Sequence, residues 1–206
     1  MSMNKRNFQK ELDDIIASMD GRKKLLLHSC CAPCSSYCLE YLTKYFDVTV
    51  FYYNPNISEK AEFDKRVSEL KRFVREADIY QKPEIIVGEY EPDVFEKMAE
   101  GLENEPERGK RCYECYKLRL KKTAEMAAKL GMDYYTTTLS ISPLKNSEWI
   151  NAIGEELAGI WGVSHLPSDF KKKEGYKRSI QLSEKYHLYR QNFCGCRFSK
   201  KTAVSD

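Results

Sequence analysis

Apolar positions along the chain follow two periods, one helical and one extended. Phe8, Leu12, Ile15 and Met19 share a helical face, so residues 5–19 are expected to form an amphipathic helix that stops near Gly21. The run Leu25-Leu26-Leu27 reads as a short buried strand. Pro33 suits the first turn of a helix, where a missing N–H costs nothing, and residues 33–45 are expected to form that helix. Residues 48–53 predict a second strand, closed by Asn54-Pro55-Asn56. Phe63, Val67, Leu70, Val74 and Ala77 then mark one face of a long helix beginning near Ser58, and residues 85–87 a third strand.

A short helical stretch around residues 94–99 precedes a polar loop at 101–110. Tyr116, Leu120, Ala124, Ala127 and Leu130 define the next helix, with Gly131 at its C-terminal cap. Residues 134–138 predict a fourth strand, 146–161 a helix, 163–165 a short fifth strand, and 173–187 another helix. Strands that alternate with helices predict an α/β fold, a parallel sheet covered on both faces. Without repeats or low-complexity segments, residues 1–206 are expected to form a single α/β domain. Its first helix falls within 1–22, and a basic region at 166–206 folds back onto the body.

Length and composition set the class. A chain of 206 residues can bury a substantial core, and contents of 42% hydrophobic and 32% charged residues are ordinary for a soluble globular protein. No stretch approaches the roughly 20 apolar residues of a membrane span. The first residues lead into an amphipathic pattern rather than an apolar signal core, so a cytoplasmic location is expected. Net charge is +3, unevenly placed: residues 166–206 hold ten Lys/Arg against four Asp/Glu, +6 in all, which leaves −3 on the rest. Such a tail suits a polyanionic partner such as RNA, although Lys171-Lys172-Lys173 reads equally as a solvated surface run.

The chemistry is in eight cysteines, which fall into three groups with only Cys38 outside them. Cys30, Cys31 and Cys34 follow the first strand, where parallel sheets gather ligands. Cys34 lies in the first helical turn, whose open N–H groups and dipole favour thiolate. Cys38, one turn further on, is expected to pack in the core. Cys112-x-x-Cys115 opens a later helix among Arg108, Lys110, Arg111, Lys117 and Arg119. With Cys30 and Cys31 it supplies four thiolates, enough for tetrahedral zinc or a 4Fe-4S cluster. Cys194-Gly195-Cys196 is spaced too closely for a zinc knuckle. It reads as a reversible dithiol, its ring permitted by Gly195, with metal ligation as the alternative. In a reducing compartment a framework of structural disulfides is not expected. His28 is expected to be a satisfied core histidine, Tyr113 and Tyr116 packing residues, and Asp13 or Asp14 an oxygen ligand only if the first helix packs over the site.

These residues resemble the QueH family of epoxyqueuosine reductases, the cobalamin-independent enzymes. The matching segments are LLLHSCCAPCSSYCLEYL, FYYNPNI, RCYECYKLRL, TTTLSISPLKNS and DFKKKEGYKRSIQLSEKYHLYRQNFCGCRFS, spanning most of the chain from residue 25 to 199. The resemblance implies a fold related to the PP-loop, adenine-nucleotide hydrolase-like proteins. It also implies reduction of the epoxide of epoxyqueuosine in tRNA to an alkene, the last step of queuosine formation. On that resemblance a 4Fe-4S cluster falls on Cys30, Cys31, Cys112 and Cys115, and a redox-active pair on Cys194 and Cys196. Cys34 remains as a candidate ligand for an additional mononuclear iron. Lys171, Lys172, Lys173, Lys177 and Arg178 are candidate tRNA phosphate contacts, and an electron donor is required. Two rivals stand beside this. A PP-loop tRNA-thiolating enzyme would need a Ser-Gly-Gly-x-Asp-Ser loop after the first strand, where this chain has Ser29-Cys30-Cys31-Ala32-Pro33-Cys34-Ser35, which argues against ATP use. A non-enzymatic zinc-binding RNA module is the other.

Overall fold

The computed structural model describes residues 6–203. Its elements run α1 (Phe8–Ser18), β1 (Lys23–His28), α2 (Ala32–Leu42), β2 (Phe46–Tyr52), α3 (Lys60–Glu76), β3 (Glu84–Val87) and α4 (Pro92–Ala99). They continue with α5 (Lys110–Lys129), β4 (Tyr134–Thr137), a 3-10 turn (Thr138–Ile141), α6 (Ser147–Trp161), β5 (Ser164–His165), α7 (Gly175–Lys185) and α8 (Arg197–Ala203). Every helix and strand expected from the periodicity is present, with ends shifted by a few residues. The short helix α8 was not expected. It is an extra turn that follows the last cysteine pair.

The five strands form one parallel sheet in the order β3-β2-β1-β4-β5. Side chains alternate across it. Leu25, Leu27, Val48, Val50 and Tyr52 point to the face covered by α1, α2 and α3, whereas Leu26, Phe51 and Tyr135 point to the face covered by α5 and α6. A continuous apolar run in β1 is what a strand buried on both faces requires. Cys38 is fully buried on the first face, in the core as expected.

Caps fix the helices that matter for the site. Asn146 accepts from the Glu148 and Trp149 amides and starts α6, and Gly162, with φ +68°, ends it. By contrast, the N-cap residues Cys31 of α2 and Gly109 of α5 make no side-chain cap bond, and at α5 Glu105 instead accepts from the Lys110 amide at 2.9 Å. Among the described residues no helix is long and apolar enough to cross a membrane.

The strand order determines where a ligand can sit. Chain growth runs outward from β1 to β2 and β3, then crosses to β4 and β5 on the other side. The loops leaving β1 and β4 therefore diverge in opposite directions, opening a crevice at their carboxyl ends.

Candidate metal and redox site

The crevice is lined first by the turn after β1. The Cys30, Cys31 and Cys34 sulfurs all lie within 4.8 Å of one another, with Cys30 and Cys31 3.8 Å apart. The turn after β4 reaches across to them: the Cys30 amide donates to Thr138 Oγ1 at 3.2 Å, and the Thr138 hydroxyl donates to Cys30 Sγ at 3.4 Å. His28 is a satisfied core residue, with Nδ1 2.8 Å from Thr137 Oγ1 and Nε2 2.9 Å from the Tyr53 carbonyl.

Charge within this first group does not sit where the helix terminus predicted. Hydrogen bonds from Cys31 and Cys34 hold the Cys30 thiol well below its usual range, against burial, with Arg119 and Thr138 assisting. Cys34 is pushed well above its usual range by its bonds to Cys30 and Cys31 and by burial. The expectation of a Cys34 thiolate is thus corrected. Of the three close sulfurs, Cys30 is held low because the other two donate to it.

The second group lies in the first turns of α5. The Arg108 amide donates to Cys112 Sγ at 3.3 Å, and burial raises both the Cys112 and Cys115 thiols. Cys115 packs with Cys194 and Cys196 against Phe95 and Phe198, whereas Cys112 packs with the core under α5 and α6.

The third group is seated on the loop after β2. Arg66 Nη1 and Asn56 Nδ2 each donate to the Cys194 carbonyl at 3.1 Å, and the Ser58 amide donates to the Gly195 carbonyl at 3.2 Å. Arg66 is itself fixed by Glu62 at 2.7 Å. The two sulfurs are 3.4 Å apart, and the Ser199 hydroxyl lies 3.2 Å from Cys194 Sγ. A hydrogen bond from Cys196 lowers the Cys194 thiol, with Lys145 adding to the effect, and the same bond raises Cys196. Gly195 has φ +110°, so the backbone freedom expected of it is used.

A cavity of about 400 Å³ joins the first and third groups. Cys30, Cys31, Cys34 and Cys194 line it, together with Arg119, Lys145, Arg190 and, from α7, Tyr176 and Ser179. Its volume falls in the range of small-molecule sites and is compatible with a nucleoside. The donor set fits a thiophilic metal: among the described residues, the side chains grouped closely enough to hold an ion are cysteines alone, beside a buried cation.

Other expected site residues fall elsewhere. Asp13 bonds Tyr41 at 3.0 Å and Lys173 at 2.5 Å, and Asp14 pairs with Lys10, so neither carboxylate joins the cysteines. Tyr113 packs edge-on against Trp149, and Tyr116 is buried. Lys171 pairs with Asp169, Lys177 with Glu174, and Arg178 with Glu40 through two bonds of 2.6 and 2.9 Å. Among the described residues Lys172 has no ion pair. Sequence reasoning missed Asn54, Asn56, Arg66, Thr138 and Lys145. Asn54 and Thr138 carried a usable signal, because both follow strands at the end of the sheet where the first cysteines emerge.

A model of the family described as epoxyqueuosine reductase QueH matches residues 25–202. The chain is 44% identical over 206 residues to the epoxyqueuosine reductase QueH of Staphylococcus epidermidis, covering 97% of this chain and 87% of that protein. Identity to the protein of the same name from Streptococcus pyogenes is 44% over 182 residues, 87% of this chain and 71% of the relative. For that from Thermotoga maritima it is 33% over 181 residues, 85% and 89% of the two chains.

Proposed function

The chain belongs to the epoxyqueuosine reductase QueH family, and from that premise we propose that it removes the epoxide oxygen of epoxyqueuosine in tRNA. The observation that carries this reading is the meeting of cysteines from both ends of the chain at one cavity beside the β1/β4 crevice. Conversion of an epoxide to an alkene and water consumes two electrons and two protons. Oxidation of the Cys194–Cys196 dithiol to a disulfide releases two electrons and two protons, so the pair balances the reaction by itself. An electron donor must then return the disulfide to the dithiol.

Cys30, Cys31, Cys112 and Cys115 are the proposed ligands of a 4Fe-4S cluster, and Cys34 that of an additional iron. The close grouping of Cys34 with Cys30 and Cys31 supports its inclusion. When bound, such a centre supplies single-electron transfer and a Lewis acid for the leaving oxygen. The chain's own residues prepare the site. Asn56, Arg66 and Ser58 hold the dithiol backbone against the cavity. Lys145 and Arg190 present cationic donors to it, suited to a developing alkoxide or a nearby phosphate. The proposed tRNA contacts are Lys171, Lys172, Lys173, Lys177 and Arg178. The helix bearing the last two also lines the cavity through Tyr176 and Ser179, which supports a substrate nucleotide entering from that side.

The test is anaerobic reconstitution with iron and sulfide, then incubation with epoxyqueuosine-containing tRNA and a strong chemical reductant. Mass analysis of the nucleosides should show loss of one oxygen. Iron-loaded protein that leaves the epoxide intact would refute the assignment.

A further inference from the structure

Arg119 is a buried charge that, among the described residues, has no carboxylate partner. It is 3% exposed, its Nη2 donates to Asn54 Oδ1 at 2.5 Å, and its Nε has no hydrogen-bond acceptor. The other buried arginines are satisfied differently. Arg66 has Glu62, and Arg111 donates to the carbonyls of Leu102, Glu103 and Glu105. A neutral amide that accepts one hydrogen bond does not balance a guanidinium removed from water.

The cysteines surround this charge. Arg119 lines the cavity together with Cys30, Cys31, Cys34 and Cys194. Asn54 is aimed by its own Nδ2, which donates to the Ser29 carbonyl at 2.9 Å, so its oxygen is left facing Arg119. Arg119 lies four residues after Cys115, one helical turn along the same face of α5.

We propose that Arg119, aimed by Asn54, is a positioning residue that supplies the fixed counter-charge shared by the three cysteine groups and raises the reduction potential of the metal centre they hold. The inference rests on the metal-centre reading above. Each electron added to a thiolate-ligated centre makes it more negative, and a fixed cation in a dry environment favours that reduced state. Removal of the cation disfavours reduction without taking away a ligand.

The experiment uses full-length protein, reconstituted anaerobically, and compares wild type with Arg119→Lys, Arg119→Gln and Asn54→Asp. The readouts are iron and sulfide per chain and the midpoint potential from a spectroscopic redox titration. Arg119→Gln should lower the equilibrium constant for reduction at least tenfold, about 59 mV for a one-electron couple. Arg119→Lys should stay near wild type because it keeps the charge. Asn54→Asp leaves Arg119 in place but sets a carboxylate against it, and its potential should also fall. That variant carries the test if Arg119→Gln does not fold. Equal shifts in the lysine and glutamine variants would indicate a merely structural role and overturn the inference, as would unchanged potentials in the glutamine and aspartate variants. Wild-type protein that takes up no iron would overturn the metal-centre reading and this inference with it. Normal loading with unchanged potentials would overturn the inference alone.

Discussion

Gly195→Ala should unseat the Cys194–Cys196 pair while leaving the fold standing. At φ +110° a side chain is strained, at a cost of about 1–3 kcal/mol. The new Cβ would also sit 2.8 Å from Ile57 Cγ1 and 3.3 Å from Arg66 Nη1. Both neighbours are buried and held, Ile57 by the core and Arg66 by Glu62, so they yield little. Overpacking of that kind adds about 1–3 kcal/mol. The segment is seated by the bonds of Arg66, Asn56 and Ser58 to its carbonyls, each worth about 1 kcal/mol net. Substitution cost and seating energy are therefore comparable, and the cheapest response is for residues 194–196 to leave the loop. Even the lower end, about 2 kcal/mol, reduces the seated population about thirtyfold relative to the unseated. Turnover of epoxyqueuosine-containing tRNA should fall accordingly, and hydrogen exchange at the Ser58 amide should accelerate. The urea midpoint should move little, because the sheet and its helices do not depend on this segment. Near-normal turnover with the Ser58 amide still protected would refute the reasoning.

Other parts of the structure lead to further outcomes. Burial lowers His165 to about 4 from an ordinary 6.5, so the unfolded chain takes up a proton that the fold refuses. Stability from this source falls as pH drops from about 6.5 to about 4, by about 3 kcal/mol, and then levels. Urea unfolding across that window should show a shallower acid slope in His165→Gln, and equal slopes would refute it. Cys38→Ala should cost about 1 kcal/mol of stability and leave iron content unchanged, whereas Cys34→Ala should lose iron. Iron lost from Cys38→Ala would contradict its place in the core. Because Lys171 and Lys173 are already ion-paired, Lys172→Ala should account for most of the tRNA affinity that disappears on replacing all three lysines. A filter-binding salt series should show a slope shallower by about 0.7–0.9, the effect of one phosphate that is no longer neutralised. An unchanged slope would remove Lys172 from the interface.

Local pattern made the framework legible, and contacts between distant segments supplied the rest. The continuous run in β1, the helical faces of α3 and α5 and the cysteine groups are all encoded within a few residues, so periodicity and spacing reveal them. Cys34 shows where that ends. A first-turn position favours thiolate for an isolated cysteine, but bonds to two neighbouring sulfurs and burial reverse the preference. The cation, Arg119, comes from α5, which follows β3 and α4 in the chain, and its aiming residue, Asn54, follows β2. Neither partner is near the other in sequence, and only the order β3-β2-β1-β4-β5 brings both to the end of β1. The same order explains why Thr138 reaches Cys30 and why the Cys-Gly-Cys segment finds its donors in the 54–58 turn. A central β1 flanked by β2 and β4 exposes its terminal loop to the loops of both neighbours, so any residue placed directly after those two strands becomes a neighbour of the cysteines. Asn54 and Thr138 could therefore have been assigned to the site from the sequence once the parallel sheet was inferred and β1 was placed at its centre. Arg66 could not, because its role depends on where the tail of the chain returns.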